Sequence, residues 1–402
     1  MRKLLAAIVM SLTPATGALA AGEGVGDIPP PIIECGGTFQ SFVGRMKELA
    51  VSKGHDQATV DQFFASVAQD GRTLGADGAQ GIFTSGFIDF SRKLISQNRV
   101  SVGQQKLQQY ANVFDEIERR FGVSRGVLTA FWAFETDFGG FQGDFNTLNS
   151  LMTLSHDCRR PGIFQPQVLA ALDLYEHGDF SPTGTTGAWA GEIGMVQMLP
   201  ADIRDSGVDG DGDGHVDLKG SAADALLSGA NMLSKLGWRP NEPWLQEVTL
   251  PQGFDYSKTG TNQKFSTGQW AIMGVTPREG TLFDSAQTSL IVPNGAGGPA
   301  FIAYPNFDVY FEWNQSFTYV LTAAYFANRL EGGAVFNEGN PSQGLDQGAM
   351  KQLQQKLNAL GHHVGEIDGI LGYNTRIAVQ KEQLRLGLVP DAWPTWDLLN
   401  RL

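Results

Sequence analysis

The chain has 402 residues, 42% of them hydrophobic and 18% charged, enough for a sizeable core and for two or more domains. A formal net charge of −13 argues against nucleic acid or an anionic membrane surface as partner. It leaves open an uncharged polymer such as a carbohydrate, which is gripped by hydrogen bonds and aromatic faces.

Arg2 and Lys3, the apolar run Leu4 to Leu12 and the small residues Ala18-Leu19-Ala20 form the pattern of a secretory signal peptide over residues 1–20. Cleavage is expected after Ala20 or Ala21, the alternative being an apolar N-terminal helix. No cysteine follows the apolar run, so no lipid anchor is expected. No later stretch approaches the roughly 20 apolar residues of a membrane helix. Residues 21–34, with Pro29-Pro30-Pro31, read as an extended lead. The two cysteines, Cys35 and Cys158, form one pair with no leftover, which in an oxidising compartment reads as one disulfide. Two buried free thiols are the alternative.

From Phe39 the pattern turns helical: Phe39, Phe42, Val43, Met46 and Leu49 recur at the spacing of one helix face. Helical stretches follow near 57–68, 104–121, 124–138, 166–176, 222–236 and 315–330. In 124–138, Ser124 can cap the N-terminus and Gly139-Gly140 can end the helix. Glu135 then shares a stripe with Leu128, Phe131, Trp132 and Phe138. Apolar neighbours disfavour a charged carboxyl, which is what a general acid needs. A glutamate paired with an arginine, or capping a neighbouring helix, fits the same pattern.

The run Asp209-Gly210-Asp211-Gly212-Asp213-Gly214-His215-Val216-Asp217 places acidic residues at positions 1, 3, 5 and 9 with glycine at 6, the oxygen-ligand spacing of a calcium loop. Position 7, His215, contributes its backbone carbonyl in that scheme. Gly220 stands where a bidentate glutamate is usual, and Asp224 can supply that carboxylate from a longer loop. A structural calcium ion is expected, sodium in a weak site, against the alternative of a solvated acidic turn. Residues 240–312 read as loop-rich with a few short strands, 332–344 as a linker, and 345–402 as a small three-helix unit. In that unit Leu353, Leu357 and Leu360 make a helix stripe, Gly361 caps it, and Asp368-Gly369 makes a sharp turn. His362 and His363 read as surface residues.

The stretch Phe87 to Gly143, with Phe134-Glu135-Thr136-Asp137-Phe138-Gly139, resembles the lytic murein transglycosylase B family. So does Ala190-Gly191-Glu192-Ile193-Gly194-Met195-Val196-Gln197-Met198-Leu199-Pro200, and the resemblance covers roughly residues 35–330. It implies a mainly α architecture, a lysozyme-like (α+β) catalytic domain over 21–331 followed by the linker. Residues 345–402, through Leu353 to Gly361, Asp368 to Gly372 and Thr375 to Gln380, resemble a three-helix peptidoglycan-binding domain.

The resemblance implies a periplasmic enzyme acting on peptidoglycan glycan strands, with Glu135 as the single catalytic acid/base and no catalytic cofactor. Other cell-wall enzymes are the partners expected of such a protein. Gln197, Asn231 and Trp313 are the implied substrate-binding residues, and a related longer loop ligates the cation. Trp313 stands where tyrosine is common, and Ala188 where serine is found. Glu192 is grouped with the substrate-binding set, and it would allow hydrolysis if it lay near Glu135. The rival functions are therefore a muramidase-type hydrolase and a catalytically silent wall-binding scaffold.

Overall fold

The computed structural model describes residues 29–77 and 85–402, so the expected signal peptide lies outside the described residues. The helices, in chain order, are α1 (Phe39–Ser52), α2 (Gln57–Phe64), α3 (Gly71–Asp77), α4 (Phe87–Leu94), α5 (Gln97–Gln109) and α6 (Ala111–Phe121). Then come α7 (Arg125–Thr136), α8 (Thr147–His156), α9 (Pro161–His177), α10 (Pro200–Ser206), α11 (Ala222–Lys235) and α12 (Thr267–Ile272). The last are α13 (Pro305–Trp313), α14 (Phe317–Leu330), α15 (Gln347–Ala359), α16 (Tyr373–Arg385) and α17 (Trp396–Arg401). The strands are β1 (Phe145–Asn146), β2 (Thr186–Gly187), β3 (Leu245–Thr249), β4 (Thr276–Pro277), β5 (Ser289–Ile291) and β6 (Ala300–Ala303). They fall into two compact units, one with residues 29–77 and 102–236, the other with 85–101 and 237–402.

The first unit is helical apart from the β1–β2 antiparallel pair. Its helices begin where a short polar side chain takes a free backbone amide: Thr38 for α1, Asp56 for α2, Asn146 for α8 and Ser221 for α11. Their apolar faces meet in a core that includes Phe42, Phe63, Phe114, Val127, Leu148 and Leu226. Cys35 and Cys158 are bonded, with Cα atoms 5.5 Å apart. The lead before α1 is strapped down as well. The buried Gln165 side chain accepts from the amides of Ile32 (2.7 Å) and Ile33 (3.0 Å) and donates to the Ile33 carbonyl (3.0 Å). Gly162 makes the crossing feasible, since a Cβ there would lie 1.7 Å from the Pro29 carbonyl oxygen.

The second unit contains the segment expected to be loop-rich, and its strands form a four-stranded antiparallel sheet in the order β4-β3-β6-β5. Val248, Leu290 and Ile302 from the sheet bury against Trp270 and Tyr304. The C-terminal helices α15, α16 and α17 close on Leu353, Leu357, Val379 and Leu398. The Asp368-Gly369 turn is held by Gln354, whose Oε1 accepts from Gly369 N at 2.8 Å. His362 is a correction to the surface reading: its Nε2 lies 2.7 Å from the buried carboxylate of Glu382, twenty residues away. Residues 332–344 are fastened rather than loose. Val335 O accepts from Arg278, Asn337 N donates to Glu247, Glu338 pairs with Arg92, and Asn340 N donates to Gly297 O.

Candidate active site

Gly122 ends α6 in the left-handed region (φ 63°), and Ser124 then caps α7 by accepting from Gly126 N. From Gly126 to Thr136 every residue of α7 is buried except Glu135. A helix that is apolar all round belongs in the interior, and beyond its first residue, Arg125, this one opens toward solvent only at the Glu135 carboxyl. Leu128, Phe131 and Trp132, the expected neighbours of Glu135 on its stripe, are each 1% exposed or less. The chain then turns sharply, with Asp137, Phe138 and Gly139 all at positive φ (51°, 60° and 86°). Asp137 and Phe138 pay for that conformation in backbone strain.

The loop after β2 meets this turn. Thr136 donates its hydroxyl to the Met195 carbonyl at 2.6 Å and accepts from Gly139 N at 2.9 Å. The two sequence blocks are thus joined by the residue next to Glu135. The loop is folded on itself by the Ile193–Met198 bridge, with hydrogen bonds of 2.8 and 3.1 Å. Gly194 at φ 81° lets it pass Leu218, where a Cβ would come within 2.4 Å. Gln197 is held at φ 54° and donates from Nε2 to Gly194 O at 2.7 Å. Its rigid placement beside the Thr136 latch was not legible in the sequence. The latch role of Thr136 has no local signal either, because a threonine at a helix end is silent until its long-range acceptor is known.

The other candidates are more deeply set. Glu192 is 1% exposed, with both carboxyl oxygens shut off from solvent. Burial pushes its carboxyl up to about 7, against weaker pulls from its own amide, the Ala190 amide and the charge of Arg160. Asn231 lies on α11 and donates to Ser206 O at 3.0 Å, joining α11 to the end of α10. Trp313 ends α13 in the second unit and is 4% exposed, a packed ring in this conformation.

In the acidic loop, carboxylate oxygens of Asp209, Asp211 and Asp213 lie within 4.8 Å of one another. Asp209 accepts from the amides of Gly212, Asp213 and Gly214, and these donors hold its pKa below the ordinary value. His215 turns the Nδ1 of its ring to Asp179 (Oδ1, 2.9 Å). Asp224 is not part of the carboxylate cluster. Its oxygens accept from Gly210 N, Asp217 N and Ser221 Oγ, so it pins both ends of the loop from beneath. In a second cluster, His55, Asp173 and Glu176, each imidazole nitrogen faces a different carboxylate and Arg204 shares Asp173.

Residues 38–328 match the family described as transglycosylase SLT domain, and residues 346–402 match the putative peptidoglycan binding domain. The chain is 28% identical over 242 residues to the membrane-bound lytic murein transglycosylase B of Escherichia coli (strain K12), a match over 58% of this chain and 64% of that protein. It thus spans less than two thirds of that relative. SltB3 from Pseudomonas aeruginosa, in complex with NAG-anhNAM-pentapeptide, is 36% identical, with a TM-score of 0.83 over 91% of this chain and 99% of that one. Escherichia coli Slt35, in complex with calcium, shares the fold at 23% identity, with a TM-score of 0.63 over 75% of this chain and 96% of that one. With an SLT domain spanning most of its length and a peptidoglycan-binding module after it, the chain belongs to the lytic transglycosylase family.

Proposed function

We propose that this protein is a lytic transglycosylase that cuts the β-1,4 bond between N-acetylmuramic acid and N-acetylglucosamine in peptidoglycan and leaves 1,6-anhydromuramic ends. One observation carries the reading: in the buried run of α7, only Glu135 reaches toward solvent. In this reaction Glu135 protonates the glycosidic oxygen as its bond to C1 breaks. It then takes the proton of the muramic acid 6-hydroxyl as that oxygen bonds to C1. No water is consumed, so one carboxyl serves as acid and then as base. Gln197 is the sugar-binding side chain of this reading; Asn231 and Trp313, also expected to bind substrate, are packed side chains here. The substrate reaches the enzyme in the periplasm, and no helix among the described residues is long and apolar enough to cross a membrane.

A hydrolase needs a second carboxyl at the bond being cut. Glu192, the residue that could have served, has both oxygens shut off from solvent, which does not favour that reading. Mass spectrometry of the products from purified peptidoglycan decides the matter. Anhydro-muropeptides from the wild type and none from Glu135→Gln are the expected result; reducing-end products would overturn it.

The loop of Asp209, Asp211, Asp213 and the His215 carbonyl is proposed to hold a structural calcium ion, with sodium as a weaker occupant. Three carboxylates this close repel one another without a cation. Calcium is expected to raise the melting temperature and a chelator to lower it, and Asp211→Asn should lose most of that response. Equal melting with and without calcium would remove the ion from the reading.

A further inference from the structure

Among the phenylalanine and tryptophan side chains of the described residues, the most exposed stands six positions after Glu135. Phe141 is 60% exposed, against 46% for Trp396 and 40% for Phe283. Single apolar residues are common on protein surfaces, so its meaning depends on how it is held and on what lies beside it.

The backbone around the ring is braced on both sides. Phe141 N donates to the Thr136 carbonyl at 2.9 Å, and Gly140 N to the Asp137 carbonyl at 3.3 Å. Gln142 donates from Nε2 to Lys219 O at 3.1 Å and to Gly139 O at 3.3 Å. Gly143, at φ 86°, closes the turn against β2, where a Cβ would lie 2.0 Å from the Gly187 carbonyl oxygen. Such a turn has little freedom to fold its phenyl ring inward.

Two of these ties lead to the site. Thr136 is the residue next to Glu135, and the Gln142 carbonyl accepts from Gln197 Nε2 at 3.4 Å. Standard backbone dimensions then keep the Phe141 and Glu135 Cα atoms within about 11 Å of each other. The chain passes from the catalytic carboxyl to the partner of the sugar-binding glutamine by way of Phe141.

A flat apolar ring fixed in water is stabilised when another flat apolar surface covers it. A β-linked glucosamine ring has such a surface, the face formed by its axial C–H groups. We propose that Phe141 is a sugar-stacking residue that seats a pyranose ring of the glycan strand beside the bond being cut. The assignment rests on the reading of the chain as an enzyme of peptidoglycan glycan. Because the turn is braced in advance, little has to be ordered when the sugar arrives.

Isothermal titration of the full-length protein with chitotetraose, a glycan without peptide or charge, tests the assignment. The wild type is expected to bind saturably, and Phe141→Ala at least tenfold more weakly. Phe141→Leu should bind as poorly as the alanine variant and Phe141→Trp should regain the affinity, since leucine keeps the apolar bulk but not the flat face. In Phe141→Trp the emission of the added indole should also shift to the blue on sugar binding, read as the difference from the wild type. On peptidoglycan, Phe141→Ala should raise KM at least fivefold and change kcat less than twofold. Melting curves check that each variant folds, and the emission of Phe141→Trp remains informative if the alanine variant does not. No binding by the wild type, or equal binding by folded Phe141→Ala or Phe141→Leu, overturns the proposal. So does an unshifted indole in a protein that binds, or a loss confined to kcat, which would mean that the turn only supports Glu135. Phe141-dependent binding in a protein that yields no anhydro products retains the stacking residue and rejects the transglycosylase reading instead.

Discussion

Glu135 and Glu192 carry the same functional group in opposite settings, and each setting dictates a different experiment. Glu135 is a half-buried residue in an otherwise buried run, whereas Glu192 is enclosed. With its pKa raised from 4.5 to about 7, Glu192 keeps a proton in the folded state that the unfolded chain has already released. Stability therefore falls as pH rises from about 4.5 to 7, by up to about 3 kcal/mol, and the loss is complete above that window. Glu192→Gln keeps the shape and removes the ionisation. Its melting temperature should exceed that of the wild type clearly at pH 8 and little at pH 5. A gap of the same size at both pH values would show that Glu192 is already ionised when folded.

At the scale of elements, α7 and the loop that meets its end are joined by one hydroxyl. Thr136→Val keeps the volume but strands the Met195 carbonyl and the Gly139 amide, each a loss of about 1–3 kcal/mol when buried. Lower stability together with a reduced kcat is expected, read from urea unfolding and from product release on peptidoglycan. An unchanged kcat would mean that the loop holds its place without the latch. The sequence made α7 legible because its signals are local: Ser124 before the helix, glycines after it, and apolar spacing along it. The acidic run was legible for the same reason, since ligand spacing is a property of neighbours. What the spacing could not reveal is that Asp224 would spend its oxygens on Gly210 and Asp217. Nor could it reveal that His362 would find Glu382, because such partners are set by tertiary packing. Trp313 illustrates the same limit. Its aromatic character invited a stacking role, and only the fold shows it packed at the end of α13.

Across the whole molecule, helical character and the C-terminal module are legible in the sequence, whereas the ties that hold the 332–344 linker are not. Glycine, proline and polar residues look alike in a tether and in a segment tied down by Arg278, Glu247, Arg92 and Gly297. The cysteine pair could be anticipated from number alone, and its consequence is measurable. The bond closes a separation of 123 residues that encloses α7, so opening it should lower stability by about 2–5 kcal/mol. Thermal unfolding with and without reductant checks this, with Cys35→Ala/Cys158→Ala as the variant that no longer responds to reductant. Equal melting of the wild type under both conditions would indicate that the fold does not rely on the bond.

The strap formed by Ile32, Ile33 and Gln165 also dictates an order of events. A ribosome delivers residues 29–37 well before their anchors, His156, Cys158, Gly162 and Gln165, which come more than a hundred positions later. Contacts this distant in sequence form slowly, because the intervening chain must be gathered before they can close. A segment made early is thus seated late, and until then a thiol and an edge of backbone stand open to whatever else is nearby.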